Sequence, residues 1–84
     1  MAILKIEGCL KKETSKWMNK LENLNIKLKN PKKHDFLTNI EAYKLDAHWF
    51  FENDDFVRAF EAIIWAWAWI EIGEKEGFLE VKKK

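Results

Sequence analysis

The side chains that could support metal or acid–base chemistry are few. His34 and His48 are the only histidines. Glu41 and Glu52 lie two turns before and one turn after His48 on any helix through this segment. A metal site needs three or four converging ligands, and neither a Glu-x-x-His nor a His-Glu-x-x-His motif occurs. The pattern is more typical of a solvated helix face, so we expect no bound metal and no cofactor.

Three carboxylates, Glu52, Asp54 and Asp55, form an acidic cluster in the middle of the chain. General acid–base catalysis would require them in a water-poor cleft, whereas a short turn between helices is exposed. Helix capping explains the same residues, and Asp54 and Arg58 have the spacing of an ordinary helical ion pair. No phosphate-binding glycine loop or nucleophile elbow occurs. We therefore predict that the protein is not an enzyme.

The stretch IIWAWAWIEIG, residues 63 to 73, places Trp65, Trp67 and Trp69 at alternate positions. Such alternation is typical of a half-buried strand. A helix accounts for more of the surrounding sequence, because one apolar face about 80° wide would then hold Phe56, Phe60, Ile63, Trp67 and Ile70. We therefore predict a helix over about residues 55–76, with Trp67 facing the core.

Two further helices are predicted, one on each side of Pro31. The first helix is predicted over about residues 8–29, because its apolar residues have the spacing of a coiled-coil seam. The seam consists of Leu10, Trp17, Leu21, Leu24 and Leu28, and Thr14 occupies the seam position between Leu10 and Trp17. A second apolar face predicts the next helix over about residues 36–52 and consists of Phe36, Ile40, Tyr43, Ala47 and Phe50. Pro31 is expected to end the first helix.

Local signals mark the helix ends. Thr38 to Glu41 matches a capping box, with Asp35 as a competing cap. Asn53 is expected to close the second helix in a left-handed conformation, and Asp54 to cap the third, while Gly77 ends it. The short turn requires an antiparallel hairpin. The predicted fold is an all-α three-helix bundle, a long N-terminal helix followed by this hairpin, without any strand.

Size and apolar content indicate one small domain. The 84 residues leave no room for a second core. The longest apolar run, residues 62–70, is far shorter than the roughly 20 residues of a membrane-spanning helix. No signal peptide is recognisable, so we expect a cytoplasmic protein without a membrane partner. The single cysteine, Cys9, is expected to be a small core residue rather than a reactive thiol.

From Tyr43 to Phe78 the sequence resembles an archaeal family known as domain of unknown function 357. The positions that carry the resemblance are Tyr43, Asp46, Ala47, Phe50, Glu52, Asp54, Ala59, Phe60, Ala66, Gly73 and Gly77. Asn53 stands where the family usually has Gly, and Glu71 where it usually has Asp. The resemblance implies an all-helical fold of about three helices, and it implies no activity.

The hairpin offers more apolar surface than one core requires. Besides the inward faces, helix two carries Ala42, Leu45 and Trp49, and helix three carries Trp65 and Trp69. Soluble monomers rarely expose large apolar patches, and Trp is enriched at binding hot spots. The predicted interaction surface comprises Trp49, Arg58, Trp65, Trp69 and Ile72. We expect it to serve self-association as a dimer or binding to another protein, unless helix one covers it.

Nucleic-acid binding through the N-terminal helix is the alternative function. Residues 1–34 hold nine Lys against three Glu, and Lys82–Lys84 end the sequence. Lys11, Lys12, Lys16 and Lys20 form a cationic stripe. However, the aromatic residues concentrate in the acidic half, and the basic half contains no Arg, which dominates specific base recognition. A basic helix lying against an acidic remainder of the same molecule is the simpler interpretation.

Overall fold

In the computed structural model, which describes the backbone of residues 2–84 and the side chains of residues 8–84, three helices surround a small core and two strands pair at one end. The elements are α1 (Ala2–Glu22), β1 (Leu24–Leu28), a 3-10 turn (Pro31–Lys33), α2 (His34–Glu52), α3 (Phe56–Lys75) and β2 (Leu79–Lys83). Helices α2 and α3 form the predicted hairpin, and α1 packs against α3. The number of α-helices among the described residues is therefore as predicted, but the fold is not all-α.

The first helix, predicted over about residues 8–29, begins six residues earlier and ends seven residues earlier than predicted, and the expectation of no strand was wrong. Helix α1 ends at Glu22, and β1 pairs antiparallel with β2, with Leu24 opposite Lys83 and Leu28 opposite Leu79. A separation of four residues places Leu24 and Leu28 on one face of either a helix or a strand. Only the strand brings Ile26 to the same face, where it packs against the core.

The two-stranded sheet depends on the helices beneath it, because an isolated pair of strands is marginally stable in water. Leu79 of β2 is only 2% exposed and lies against Gly73 of α3. Backbone hydrogen bonds extend the pairing at both ends, from Lys84 N–H to the Asn23 carbonyl at 2.9 Å and from Lys29 N–H to the Phe78 carbonyl at 2.8 Å. The sheet thereby joins the ends of α1 and α3.

Gly77 ends α3 in the left-handed conformation, as predicted. Its φ is +78°. The Phe78 N–H donates to the Gly73 carbonyl at 2.8 Å, and the Gly77 N–H donates to the Glu74 carbonyl at 3.1 Å. These two bonds form a Schellman motif, which satisfies carbonyls at the helix end. The motif also reverses the chain directly into β2, so it positions Leu79 over Gly73.

In the turn between α2 and α3, the left-handed residue and the N-cap each lie one position later in the sequence than predicted. Asp54, and not Asn53, has a positive φ, 59°. Asp55, and not Asp54, caps α3, because its Oδ1 accepts a hydrogen bond from the Arg58 N–H at 3.2 Å. Asp tolerates both the left-handed region and the cap position, so the sequence allowed either assignment.

Helix α2 begins before the predicted capping box. It starts at His34, which places Thr38 inside the helix with its hydroxyl 3.4 Å from the His34 carbonyl oxygen. The cap in this region belongs to the preceding 3-10 turn, where the Asn30 side chain accepts from the Lys32 N–H at 3.0 Å. Pro31 is the first residue of that turn, a position where its missing N–H costs little. Pro31 therefore starts a helical segment rather than ending one.

The core is built on a face of α3 made largely of small residues. Ala59, Ala62, Ala66 and Gly73 are buried, together with Ile63 and Ile70. The partners are Ile40 and Ala47 from α2, and Met18 and Leu21 from α1. Thr14 is fully buried, and its hydroxyl donates to the Leu10 carbonyl at 2.7 Å. Cys9 is exposed, so the expectation that it is a core residue was wrong.

A polar cluster ties the end of α1 to α2. Glu22 Oε1 lies 3.7 Å from Lys44 Nζ and 3.4 Å from His48 Nε2. Partial burial favours the neutral acid, but the attraction of Lys44 and the hydrogen bonds from His48 and Lys44 outweigh it, so the pKa of Glu22 is lowered below 4.5. The folded state therefore favours the charged carboxylate.

Gly73→Ala should destabilise the protein although Ala is the better helix former. A Cβ at this position would lie 2.8 Å from Leu79 Cγ and 3.1 Å from Phe36 Cδ2. We expect a loss of about 1–3 kcal/mol in the free energy of unfolding, because overpacking displaces β2. Gly8→Ala in α1 is the matched control, since no described residue outside its own stretch of helix lies within 4 Å of its added Cβ, and it should gain up to about 1 kcal/mol. Urea denaturation of both variants measures this, and equal effects would contradict the packing described.

Glu22→Gln should lower stability in a pH-dependent way. The carboxylate is half exposed, so the loss should be no more than about 1 kcal/mol at pH 7. Because the folded pKa is lowered, the contribution is present above the unfolded pKa and is lost as pH falls through the folded value. Wild type and variant should therefore converge in urea titrations as the pH falls through the folded pKa of Glu22. Glu71→Gln, which removes a carboxylate without an ion pair among the described side chains, should show no such convergence.

Candidate functional site

A shallow groove of about 220 Å³ runs between α2 and α3 on the outside of the hairpin. Helix α2 contributes Tyr43, Asp46 and Phe50 at successive turns, and α3 contributes Arg58, Glu61, Ala62 and Trp65. The floor is partly the buried Ala62, whose small side chain leaves space between the larger residues. We call this surface the hairpin groove.

Aromatic rings form the walls of the hairpin groove. Trp65 is 57% exposed and stacks on Tyr43, with ring centroids 6.2 Å apart and planes 18° apart. Trp49 is 63% exposed and meets Phe50 edge to face, with centroids 5.5 Å apart. Two indoles are therefore held in place by half-buried neighbours while much of their apolar surface stays in contact with water. Such rigid, exposed aromatic surface is typical of interaction sites.

The rim of the hairpin groove carries both signs of charge. Arg58 lies over the Phe50 ring, with its guanidinium carbon 5.9 Å from the ring centroid. Its Nε is 3.7 Å from Asp55 Oδ2, which holds the side chain along α3. Asp46 and Glu61 supply carboxylates on the same groove and form no ion pair among the described side chains. The rim can therefore form ion pairs with both cationic and anionic groups of a partner.

The predicted surface residues fall into two groups. Arg58 and Trp65 line the hairpin groove, Trp49 borders it through Phe50, and Ile72 is 53% exposed two turns beyond Trp65. Trp69, one turn along α3 from Trp65, does not line the groove; it is half-buried and packs edge to face on Phe36, with centroids 4.8 Å apart. The sequence predicted that Trp69 belongs to the same surface as Trp65, because the two residues lie one helical turn apart. The position of Phe36 at the start of α2 gives Trp69 an internal partner instead.

Tyr43 and Phe50 are groove residues that the sequence assigned only to the core face of α2. Both are half-buried; Tyr43 packs against the core as well as lining the groove, whereas Phe50 lines the groove without belonging to the core cluster. Their positions at one edge of the apolar face, next to the polar Asp46, are the signal that could have identified them. A residue at the edge of an amphipathic face is shared between the core and the surface.

The part of helix α1 whose side chains are described, from Gly8 onward, does not line the hairpin groove. Its Trp17 packs edge to face on Trp67, with centroids 5.6 Å apart, and the Trp67 indole N–H donates to the Trp17 carbonyl at 3.3 Å. Trp67 lies on the side of α3 away from Trp65 and packs against the core. The inward direction predicted for Trp67 is thus correct, and Trp65, in contact with Tyr43, stays 57% exposed.

The structure gathers no metal-like ligand set among the side chains of residues 8–84. No three His, Cys, Asp or Glu side chains in that range are placed to hold an ion. His48 contacts Glu22 of α1 rather than Glu41 or Glu52 of its own helix. Between residues 2 and 84, none of the helices combines the length and the apolar character that crossing a bilayer requires.

Together, the three helices, the terminal sheet and the exposed aromatic groove define a small, mainly helical protein. The chain belongs to a family described as protein of unknown function (DUF357), whose model matches residues 12–79. Protein AF1782 from Archaeoglobus fulgidus, a member of the same family, has a similar crystal structure, with a TM-score of 0.77 and 40% identity over 92% of this chain and 99% of that one. The resemblance seen in the sequence is confirmed. No curated protein matches the chain.

Trp67→Ala and Trp65→Ala should separate the core tryptophan from the exposed one. Trp67→Ala removes the contacts with Trp17 and the core, and should lower the free energy of unfolding by about 3 kcal/mol. Trp65→Ala should cost about 1 kcal/mol or less, since its main contact is with Tyr43. Thermal unfolding at low protein concentration, where association contributes least, provides the measurement. A larger loss for Trp65→Ala would mean that the two faces of α3 have been assigned in reverse.

Proposed function

We propose that this protein is a self-association module and that its homodimer forms through the hairpin groove. The observation that carries the proposal is the exposure of Trp65, 57%, on a ring that Tyr43 already holds in place. An ordered indole loses little conformational freedom when a partner covers it, so most of the burial contributes to binding. Trp49 supplies a second such ring at the edge of the same surface.

The charges of the rim favour a second copy of this chain as the partner. A two-fold axis brings the same surface of both subunits together, so the surface must be complementary to itself. Arg58 is the only cation lining the hairpin groove, and Asp46 and Glu61 are its carboxylates. A rotation about an axis through the groove can set Arg58 of each copy against a carboxylate of the other. Such pairs act mainly on orientation and selectivity.

The exposed apolar residues extend far enough to support an interface. A stable interface buries about 800 Å² on each partner, which is roughly one eighth of the 6176 Å² accessible surface of this chain. Ile72 continues the surface about 10 Å along α3 from Trp65, at 1.5 Å per residue. Leu45, 70% exposed, lies one turn before Trp49 on α2. The proposed interface therefore has a central aromatic pair with apolar extensions at two ends.

Trp65→Glu should convert a dimer into a folded monomer. A carboxylate at the centre of the proposed interface would be desolvated without a partner, so we expect at least a hundredfold weaker association. Val57→Glu is the matched control, because Val57 is 59% exposed on α3 but does not line the hairpin groove. Sedimentation equilibrium measures association, and circular dichroism checks the fold. A monomeric wild type, or equal loss in both variants, would contradict the proposal.

Charge exchange on the rim tests the symmetry of the dimer. Arg58→Glu should weaken association about tenfold, and adding Glu61→Arg to it should restore most of that loss, because each copy again offers one cation and one anion. The same pair of changes should have no restoring effect if the partner is a different protein. Failure of the double variant to recover in sedimentation experiments would therefore exclude the isologous arrangement.

A further inference from the structure

We propose that a second groove, on the α1 side of α3, binds single-stranded nucleic acid. This depression has a volume of about 470 Å³ and contains two tryptophans, Trp17 and Trp67, and three lysines, Lys20, Lys83 and Lys84. We call it the basic groove. Its volume is in the range of about 300–1,000 Å³ that is usual for ligand sites. It lies across α3 from the hairpin groove, so it is independent of the proposed dimer.

The terminal sheet creates the basic groove. Antiparallel pairing sets Lys83 opposite Leu24, and the Lys84 N–H donates to the Asn23 carbonyl at 2.9 Å. The end of β2 is thereby held beside the last turn of α1, where Lys20 lies. In the sequence, the basic N-terminal segment, the acidic segment that contains Trp67 and the C-terminal lysines are separate. The fold places cations from both ends of the chain around a tryptophan from the acidic half.

The lysines of the basic groove are available to an anionic ligand. Lys20, Lys83 and Lys84 form no ion pair among the side chains of residues 8–84. The simpler interpretation was that acidic residues of the same molecule neutralise the basic helix. Lys20 does not fit that interpretation, because it forms no such ion pair with the described side chains. Two carboxylates flank the groove without lining it: Glu13 accepts a hydrogen bond from the Trp17 indole N–H at 3.3 Å, and Glu71 lines an adjoining depression with Trp17 and Trp67.

The tryptophans supply surfaces on which nucleobases can stack. Trp17 and Trp67 are both half-buried, so each keeps part of its ring accessible. Lys20 Nζ lies 4.5 Å from the Trp17 ring centroid, and Lys16 Nζ lies 5.6 Å from it. A base that replaces the Lys20 ammonium on this ring leaves the ammonium free for the adjoining phosphate. Stacking combined with lysine–phosphate contacts is the usual chemistry of single-strand binding without sequence preference.

Single strands fit this chemistry better than a duplex or an acidic protein. A duplex keeps its bases stacked on one another, so it can use the lysines but not the indole surfaces. An acidic peptide also pairs with the lysines and leaves the indoles unused. The absence of Arg from the basic groove indicates little base-specific readout, since bidentate recognition of bases is mainly the work of Arg.

The test is fluorescence anisotropy of a labelled oligothymidine of about 12 nucleotides, a length within the site sizes of single-strand binders. For about three phosphate contacts, the affinity should fall with salt along a log–log slope of about −2. Replacing Lys20, Lys83 and Lys84 together by Ala should weaken binding at least tenfold at low salt. Replacing Lys27, Lys29 and Lys32 by Ala removes the same charge away from the groove and should change affinity by less than about threefold.

Competition experiments decide the ligand class. A hairpin duplex of equal nucleotide number should compete at least tenfold less well than the single strand, because it cannot stack on the indoles. Polyglutamate of equal charge should likewise compete poorly. Equal competition by either, equal losses in the two triple-lysine variants, or no binding of the oligonucleotide at low salt would each overturn the proposal. Circular dichroism of both variants confirms that the exposed substitutions leave the fold intact.

Discussion

The close packing of α3 against its neighbours is the constraint on which the rest of the structure depends. Its buried face consists mainly of Ala59, Ala62, Ala66 and Gly73, which lets other backbones approach closely. At Gly73 the approach is so tight that no side chain fits beside Leu79. Helices α1 and α2 and strand β2 all pack against α3. The small residues of α3 thus allow α1, α2 and β2 to pack closely against the same helix.

The tryptophans of α3 are placed at the edges of that face because its centre is small. Trp67 meets Trp17 on the α1 side, Trp69 meets Phe36 at the start of α2, and Trp65 stacks on Tyr43 at the outer edge. Trp67 and Trp69 pack partly against the core, whereas Trp65 is exposed, and none of the three is fully buried. This arrangement explains how one short helix can hold three indoles without a large core. It also leaves aromatic surface on two sides of the molecule.

The two grooves differ in charge as well as position, so we propose different partners for them. The hairpin groove mixes Arg58 with Asp46 and Glu61, a combination suited to a symmetric contact between copies. Among the described residues, the charged side chains that line the basic groove are all lysines, a combination suited to a polyanion. If both proposals hold, the dimer presents two basic grooves, and a strand long enough to reach both would bind with an avidity greater than either groove provides.

The sequence by itself determined the hairpin, the inward direction of Trp67 and the helix end at Gly77, because helical periodicity and capping act over a few neighbouring residues. The exposed Trp49 and Trp65 also followed from it. It did not determine the sheet, since Leu24 and Leu28 fit a helix or a strand, and the choice depends on pairing with Leu79–Lys83, more than 50 residues away. Only the tertiary structure turned Trp69 toward Phe36 and brought Lys83 and Lys84 beside Trp17. Such contacts depend on how the elements pack, which no local pattern encodes.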